Sequence, residues 1–164
     1  MATAQQLSRQ LNKLRGSRIV LVGIGNILRS DDAAGSLVCR RLKERSISAD
    51  IIDAGTAPEN YIQRIIKKAP QNLLVVDAID FQAPPGTIKI FSPKQLNSSV
   101  ISTHTLSPRL FVDMVSQSIK VDVYFIGIQP AQTQLCQPVS DEVCLAVELL
   151  SKILTEIFSI ENNS

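Results

Sequence analysis

Four short aliphatic and β-branched runs, separated by stretches of helical apolar spacing, constrain this chain more than any other feature. The runs are Arg18–Val22, Ala49–Asp53, Leu73–Val76 and Val121–Ile126. Between them the spacing predicts helices over about 33–45, from Pro58 through Ile66, and from Pro108 to about Ser118. A last helix runs from an N-cap at Ser140 to about Phe158. Strands alternating with helices require crossover connections, which are right-handed and put helices on both faces of a mainly parallel, twisted sheet. The predicted fold is therefore α/β, a three-layer sandwich. Thr87–Phe91, after the Pro84-Pro85-Gly86 turn, reads as an edge strand, and Asn97–Thr105 reads as a polar loop. Leu7, Leu11 and Leu14 predict a short leading helix, and residues 159–164 read as a frayed end.

A length of 164 residues suits a single domain, 1–164, with 1–16 as an N-terminal extension to which the sequence gives no role. Aromatic residues make up 4% and tryptophan is absent, so Ile, Leu and Val must fill the core. A formal net charge of +2 gives no footprint for nucleic acid or a membrane surface. No apolar run reaches the roughly 18 to 20 residues that membrane insertion needs. The polar opening stretch, with Arg9, Lys13 and Arg15, does not read as a signal peptide. Cys39, Cys136 and Cys144 form no C-x-x-C pair, and an odd count fits a reducing compartment with the thiols as small hydrophobes. These observations predict a cytoplasmic protein.

In sheets of this kind, sites collect beyond the carboxyl ends of the strands, where the strand order switches. Gly23-Ile24-Gly25-Asn26 follows the first strand. It reads as a tight turn or a nucleotide loop, but Leu28 stands where a dinucleotide fingerprint needs glycine or alanine. Asp31-Asp32 stands at a helix entry, where either carboxylate can act as a cap. Asp77 ends the most apolar run, where a carboxylate is costly unless hydrogen-bonded, protonated or bound to a cation; Asp53 has the same place on the second strand. His104, the single histidine, lies in the polar loop and is either solvated or a ligand. Taken together, Asp32, Asp77 and His104 supply two oxygens and one imidazole, a set that suits nickel, zinc or another borderline divalent ion. There is no H-E-x-x-H and no G-x-S-x-G.

These segments, in this order, resemble the signatures of the nickel–iron hydrogenase maturation endopeptidases. Gly23-Ile24-Gly25-Asn26-Ile27-Leu28 with Asp31-Asp32 is similar to the first. Asp53-Ala54-Gly55-Thr56-Ala57-Pro58-Glu59-Asn60 is similar to the second, in the branch acting on formate-hydrogenlyase-type hydrogenases. Val75-Val76-Asp77-Ala78 with Pro85-Gly86, then Thr103-His104, then Gly127-Ile128-Gln129-Pro130 complete the series over roughly residues 18 to 150. Ala33 and Ala54 stand where the family commonly has glycine.

The resemblance implies an endopeptidase that removes the C-terminal tail of a nickel-loaded hydrogenase large-subunit precursor. It implies Asp32, Asp77 and His104 as catalytic and nickel-facing residues, the nickel being presented by the substrate, with other divalent ions able to occupy the site. Asp53, Gly55 and Thr56 are expected to position the substrate chain. Three alternatives make different predictions. A non-catalytic nickel-binding assembly checkpoint would use the same ligands without cleavage. A nucleotide-binding domain would use the Gly23–Asn26 turn, and an aspartyl protease would share a proton between Asp32 and Asp77.

Overall fold

The computed structural model describes residues 3–96, 101–102 and 107–160. The elements are α1 (Ala4–Asn12), β1 (Ile19–Ile24), α2 (Ala34–Lys43), β2 (Ala49–Gly55), α3 (Ile62–Lys68) and β3 (Asn72–Asp80). They continue as β4 (Ile88–Phe91), β5 (Ile101–Ser102), α4 (Pro108–Ser116), β6 (Asp122–Ile128) and α5 (Asp141–Phe158). The sheet order is β2-β1-β3-β6-β4, with β5 paired to the end of β3. β2, β1, β3 and β6 are mutually parallel, and β4 closes the edge antiparallel to β6. The α/β sandwich expected from the alternation is the fold observed.

Side-chain alternation along the central strands builds a core on each face. Ile19 and Leu21 of β1, with Leu74, Val76 and Ala78 of β3, pack under α1, α2 and α5. Val20 and Val22, with Leu73 and Val75, pack under α3 and α4. Such strands are apolar on both sides, which explains the unbroken aliphatic runs.

The structure differs from the expectations at five places. The 1–16 stretch is part of the core, since Leu7, Leu11 and Leu14 are buried in the cluster built by α2 and α5. Arg15 donates from Nε to the Ile157 carbonyl at 3.2 Å, closing the end of α5. β3 does not end at Asp77. It runs on to Asp80, with Asp77 opposite Gly127 in the ladder to β6. Pro58 opens a 3-10 turn, Pro58–Tyr61, ahead of α3. Of the stretch expected as a loop over 97–105, Ile101 and Ser102 form β5, antiparallel to Asp80 and Ile79; the remainder lies outside the described residues. At the chain end, Ser159 bridges to Ile47, while 161–164 lie outside the described residues.

Candidate active site

Strand order reverses between β1 and β3: the chain leaves β1 for β2 on one side, then crosses to β3 on the other. The crevice at their carboxyl ends is the place where such sheets bind ligands. α2 enters directly over it, and glycines permit the approach. A Cβ on Gly35 would collide with the carbonyl oxygens of Ile24 and Val76, and one on Gly23 with the Gly35 carbonyl and the Cys39 sulfur. A Cβ on Gly25 would lie 2.5 Å from the Asp32 carbonyl oxygen. The Gly23-x-Gly25 pattern is thus explained by close backbone packing.

Asp31 and Asp32 lie in a 3-10 turn, Ser30–Ala33, ahead of α2. Neither caps that helix as the sequence suggests, because its N-cap is Ala33, without a side-chain hydrogen bond. Asp31, 0% exposed, reaches across the chain instead. Its Oδ2 accepts from Ala131 N at 2.8 Å, Gln132 N at 3.2 Å and Ser140 Oγ at 2.8 Å, and its Oδ1 accepts from Ser140 N at 2.7 Å. Ser140 is the N-cap of α5, so one carboxylate ties the entrance of α2 to the entrance of α5.

Asp32 is 2% exposed. Its amide donates to the Arg29 carbonyl at 3.0 Å, and its carbonyl accepts from Asn26 N at 3.1 Å. The turn that carries it lies against β3. Asp77, 3% exposed, alternates onto the face of Leu73 and Val75, one residue past the last β1–β3 pair, Gly23 with Val76. Two buried carboxylates therefore border the switch crevice from β3 and from the turn after β1. His104 lies outside the described residues. Among the described residues, no three His, Cys, Asp or Glu side chains form a cluster able to hold a metal ion.

The second-signature residues flank this crevice on the β2 side. Asp53 is opposite Gly23 in the ladder, and its Oδ1 accepts from Ser36 Oγ at 2.7 Å and Gly55 N at 3.3 Å. Gly55, at φ +57, accepts on its carbonyl from Gly25 N at 2.9 Å. Thr56 beside it is exposed. Gly55 thus joins the β2 end to the segment leaving β1, the Asp53 side chain ties β2 to α2, and Thr56 is the member of the trio most open to water.

Two structural residues have no local sequence signal of their role. Gln129 accepts on Oε1 from Phe81 N at 2.8 Å and Ala83 N at 3.2 Å, and donates from Nε2 to Asp80 Oδ1 at 3.1 Å. It fixes the loop leaving β3, three residues beyond Asp77. Ser36, which joins α2 to Asp53, is buried and equally silent in the sequence. Cys39 is also buried: desolvation first, and then the Asp53 charge, push its thiol up to about 12, which removes it as a nucleophile near neutral pH.

A mainly parallel α/β sandwich with acids buried at its switch crevice defines a class of enzyme-like domains. Comparison with known proteins narrows the class. The model of the hydrogenase maturation protease family (HycI) matches residues 36–157. The chain is 35% identical over 135 residues to the hydrogenase 3 maturation protease of Escherichia coli, covering 79% of this chain and 83% of that one. The crystal structure of the [NiFe] hydrogenase maturation protease HycI from Thermococcus kodakarensis superposes with a TM-score of 0.83 at 34% identity, covering 90% of this chain and 97% of that one. The solution structure of the endopeptidase HycI from Escherichia coli gives 0.75 at 32% identity, with 82% and 87% covered. This chain belongs to the hydrogenase maturation protease family, as its ordered signatures indicate, and its enzyme class is that of a peptide-bond hydrolase. Among the described residues no helix is long and apolar enough to cross a membrane.

Proposed function

We propose that this protein is an endopeptidase that removes the C-terminal tail of a hydrogenase large-subunit precursor after nickel has been inserted. Asp32, Asp77 and His104 face the nickel, which arrives bound to the substrate. The observation that carries the reading is Asp77, a carboxylate 3% exposed inside a central strand, bordering the same crevice as buried Asp32. Two carboxylates bordering one crevice offer oxygen ligands to a divalent cation carried by the substrate. His104 follows Ser102 by two residues, and Ser102 pairs with Ile79, two residues past Asp77. A site of two oxygens and one imidazole without a thiolate holds free nickel weakly and adds contacts to nickel already held by a substrate. Other divalent ions are accommodated by the same chemistry.

Hydrolysis then adds water to the scissile carbonyl and breaks the C–N bond, with one water proton passing to the leaving amine. In this reading Asp32 and Asp77 carry that proton. Asp53, Gly55 and Thr56 hold the wall along which the substrate chain runs. Cys39, Cys136 and Cys144 are all unpaired, which fits a reducing compartment and processing in the cytoplasm.

The test is to incubate the protein with nickel-loaded and nickel-free precursor and weigh both products. Loss of the tail from the nickel-loaded form alone is expected. Binding to the precursor with no change in mass would replace the protease reading by the checkpoint reading.

A further inference from the structure

Close backbone packing accounts for Gly23 and Gly25 and leaves Asn26, the residue that follows them, without a role. Asn26 stands between two walls of the crevice. On one side, Gly25 N donates to the Gly55 carbonyl at 2.9 Å. On the other, Asn26 N donates to the Asp32 carbonyl at 3.1 Å, and the Asn26 carbonyl accepts from Arg29 N at 3.1 Å. The side chain is anchored as well, since its Oδ1 accepts from Leu28 N at 2.9 Å. That contact fixes which end of the amide is which, because a backbone N–H must meet the oxygen. Nδ2 is the free end. Neither it nor the adjacent Ile27 N–H donates to any group among the described residues. The turn by itself does not call for asparagine: it needs an acceptor, and aspartate supplies one equally well. What asparagine adds is an N–H donor on a neutral group. Asp32 and Asp77, which border the crevice, are acceptors when ionised, and the Ser36 hydroxyl already donates to Asp53.

We propose that Asn26 is a catalytic residue that receives the scissile carbonyl oxygen on its Nδ2–H, with the Ile27 N–H as second donor. The inference deepens the proposed function and rests on its peptide-bond hydrolysis. Water adds its oxygen to the carbonyl carbon, the carbonyl π pair moves onto oxygen, and the two donors meet the charge that forms there. When the tetrahedral centre collapses, that pair restores C=O, the C–N bond breaks, and the leaving nitrogen takes a proton. Asn26 itself exchanges no proton; its hydrogen bond strengthens as the charge grows, which is what lowers the barrier. Donors fixed before the substrate arrives need no reorganisation during the reaction. Here the anchors are Leu28 N on the side chain and the Asp32 and Arg29 contacts on the backbone. One of those anchors also seats Asp32, so acid and donor are held in register.

The experiment measures kcat and KM for tail release from nickel-loaded precursor across pH, with melting temperatures, for the wild type, Asn26→Asp and Asn26→Ala. Asn26→Asp keeps an oxygen for Leu28 N and loses the N–H donor, whereas Asn26→Ala loses both. Asn26→Asp is expected to melt at the wild-type temperature and Asn26→Ala below it. Both are expected to lose about 10²- to 10³-fold in kcat with KM nearly kept, so that rate does not follow stability. A role confined to the turn predicts that Asn26→Asp keeps the wild-type kcat, and that result overturns the proposal. So does a wild-type kcat in Asn26→Ala, or a loss in Asn26→Asp that vanishes on the plateau of its pH profile, since each assigns the effect to the added charge. A loss confined to KM overturns it too, because the amide would then bind substrate and transition state alike. A wild type that leaves the precursor mass unchanged sinks the protease reading and this role with it. A working wild type that neither variant slows sinks this role alone.

Discussion

The two ends of the sheet treat the same amino acid in opposite ways. At the amino end, Asp50 meets Lys68 Nζ at 3.1 Å with both side chains about half exposed, beside an open cavity of about 280 Å³ lined by Arg18, Ser48 and Pro70. At the carboxyl end, Asp31, Asp32 and Asp77 are buried. Solvated charges cost little and contribute little, whereas a buried carboxylate must be compensated by donors or a cation. On the proposed function, the contrast falls where the substrate is handled. Among the buried acids, Asp31 takes four donors from the 131–140 segment and ties the entrance of α2 to that of α5.

Substitutions at the two ends test that contrast. The largest effect is expected for Asp77→Ala, which should lower the rate of tail release by on the order of 10³-fold, as loss of a proton-transfer group does, measured by single-turnover mass analysis. Next comes Asp31→Ala. It strands the amides of Ala131, Gln132 and Ser140 and should cost about 3 kcal/mol of stability in urea unfolding. A smaller effect follows from Cys39. Its folded value near 12 lies above the ordinary 9.0, so the stabilising contribution is whole below pH 9 and is lost as pH rises from there toward 12. Unfolding curves across that range should show a slope that Cys39→Ala removes, and in the native state iodoacetamide should label Cys136 and Cys144 before Cys39. Smallest of all, Asp50→Ala should change stability by less than about 1 kcal/mol, and less still in high salt.

The layers were legible because burial on both faces of a strand leaves an unbroken aliphatic run, as in Leu73–Val76 and Ile19–Val22. What the sequence concealed was pairing across distance. Asp77 interrupts the apolar run and so reads as a strand end, yet the ladder partner that keeps it in the sheet is Gly127, fifty residues on. Asp31 looks like a local cap because its partners near Ser140 carry no local signature. Gln129 appears in a family signature without any sign that its amide fixes the loop after β3. Leu7, Leu11 and Leu14 announce a helix and not the surface of α5 and α2 on which it lies. For the site itself, Asp77 stands out by its strand-end position and Asp32 by its place in an acidic pair at a helix entry, and the shared crevice follows from a strand order that no single segment encodes.

The most direct measurement sets the two neighbouring acids against each other. Tail release per folded molecule is compared for Asp31→Asn and Asp32→Asn on nickel-loaded precursor. We expect Asp32→Asn to melt near the wild-type temperature and release no tail, and Asp31→Asn to melt lower while each folded molecule still works. An Asp32→Asn protein that processes precursor at the wild-type rate would contradict the account.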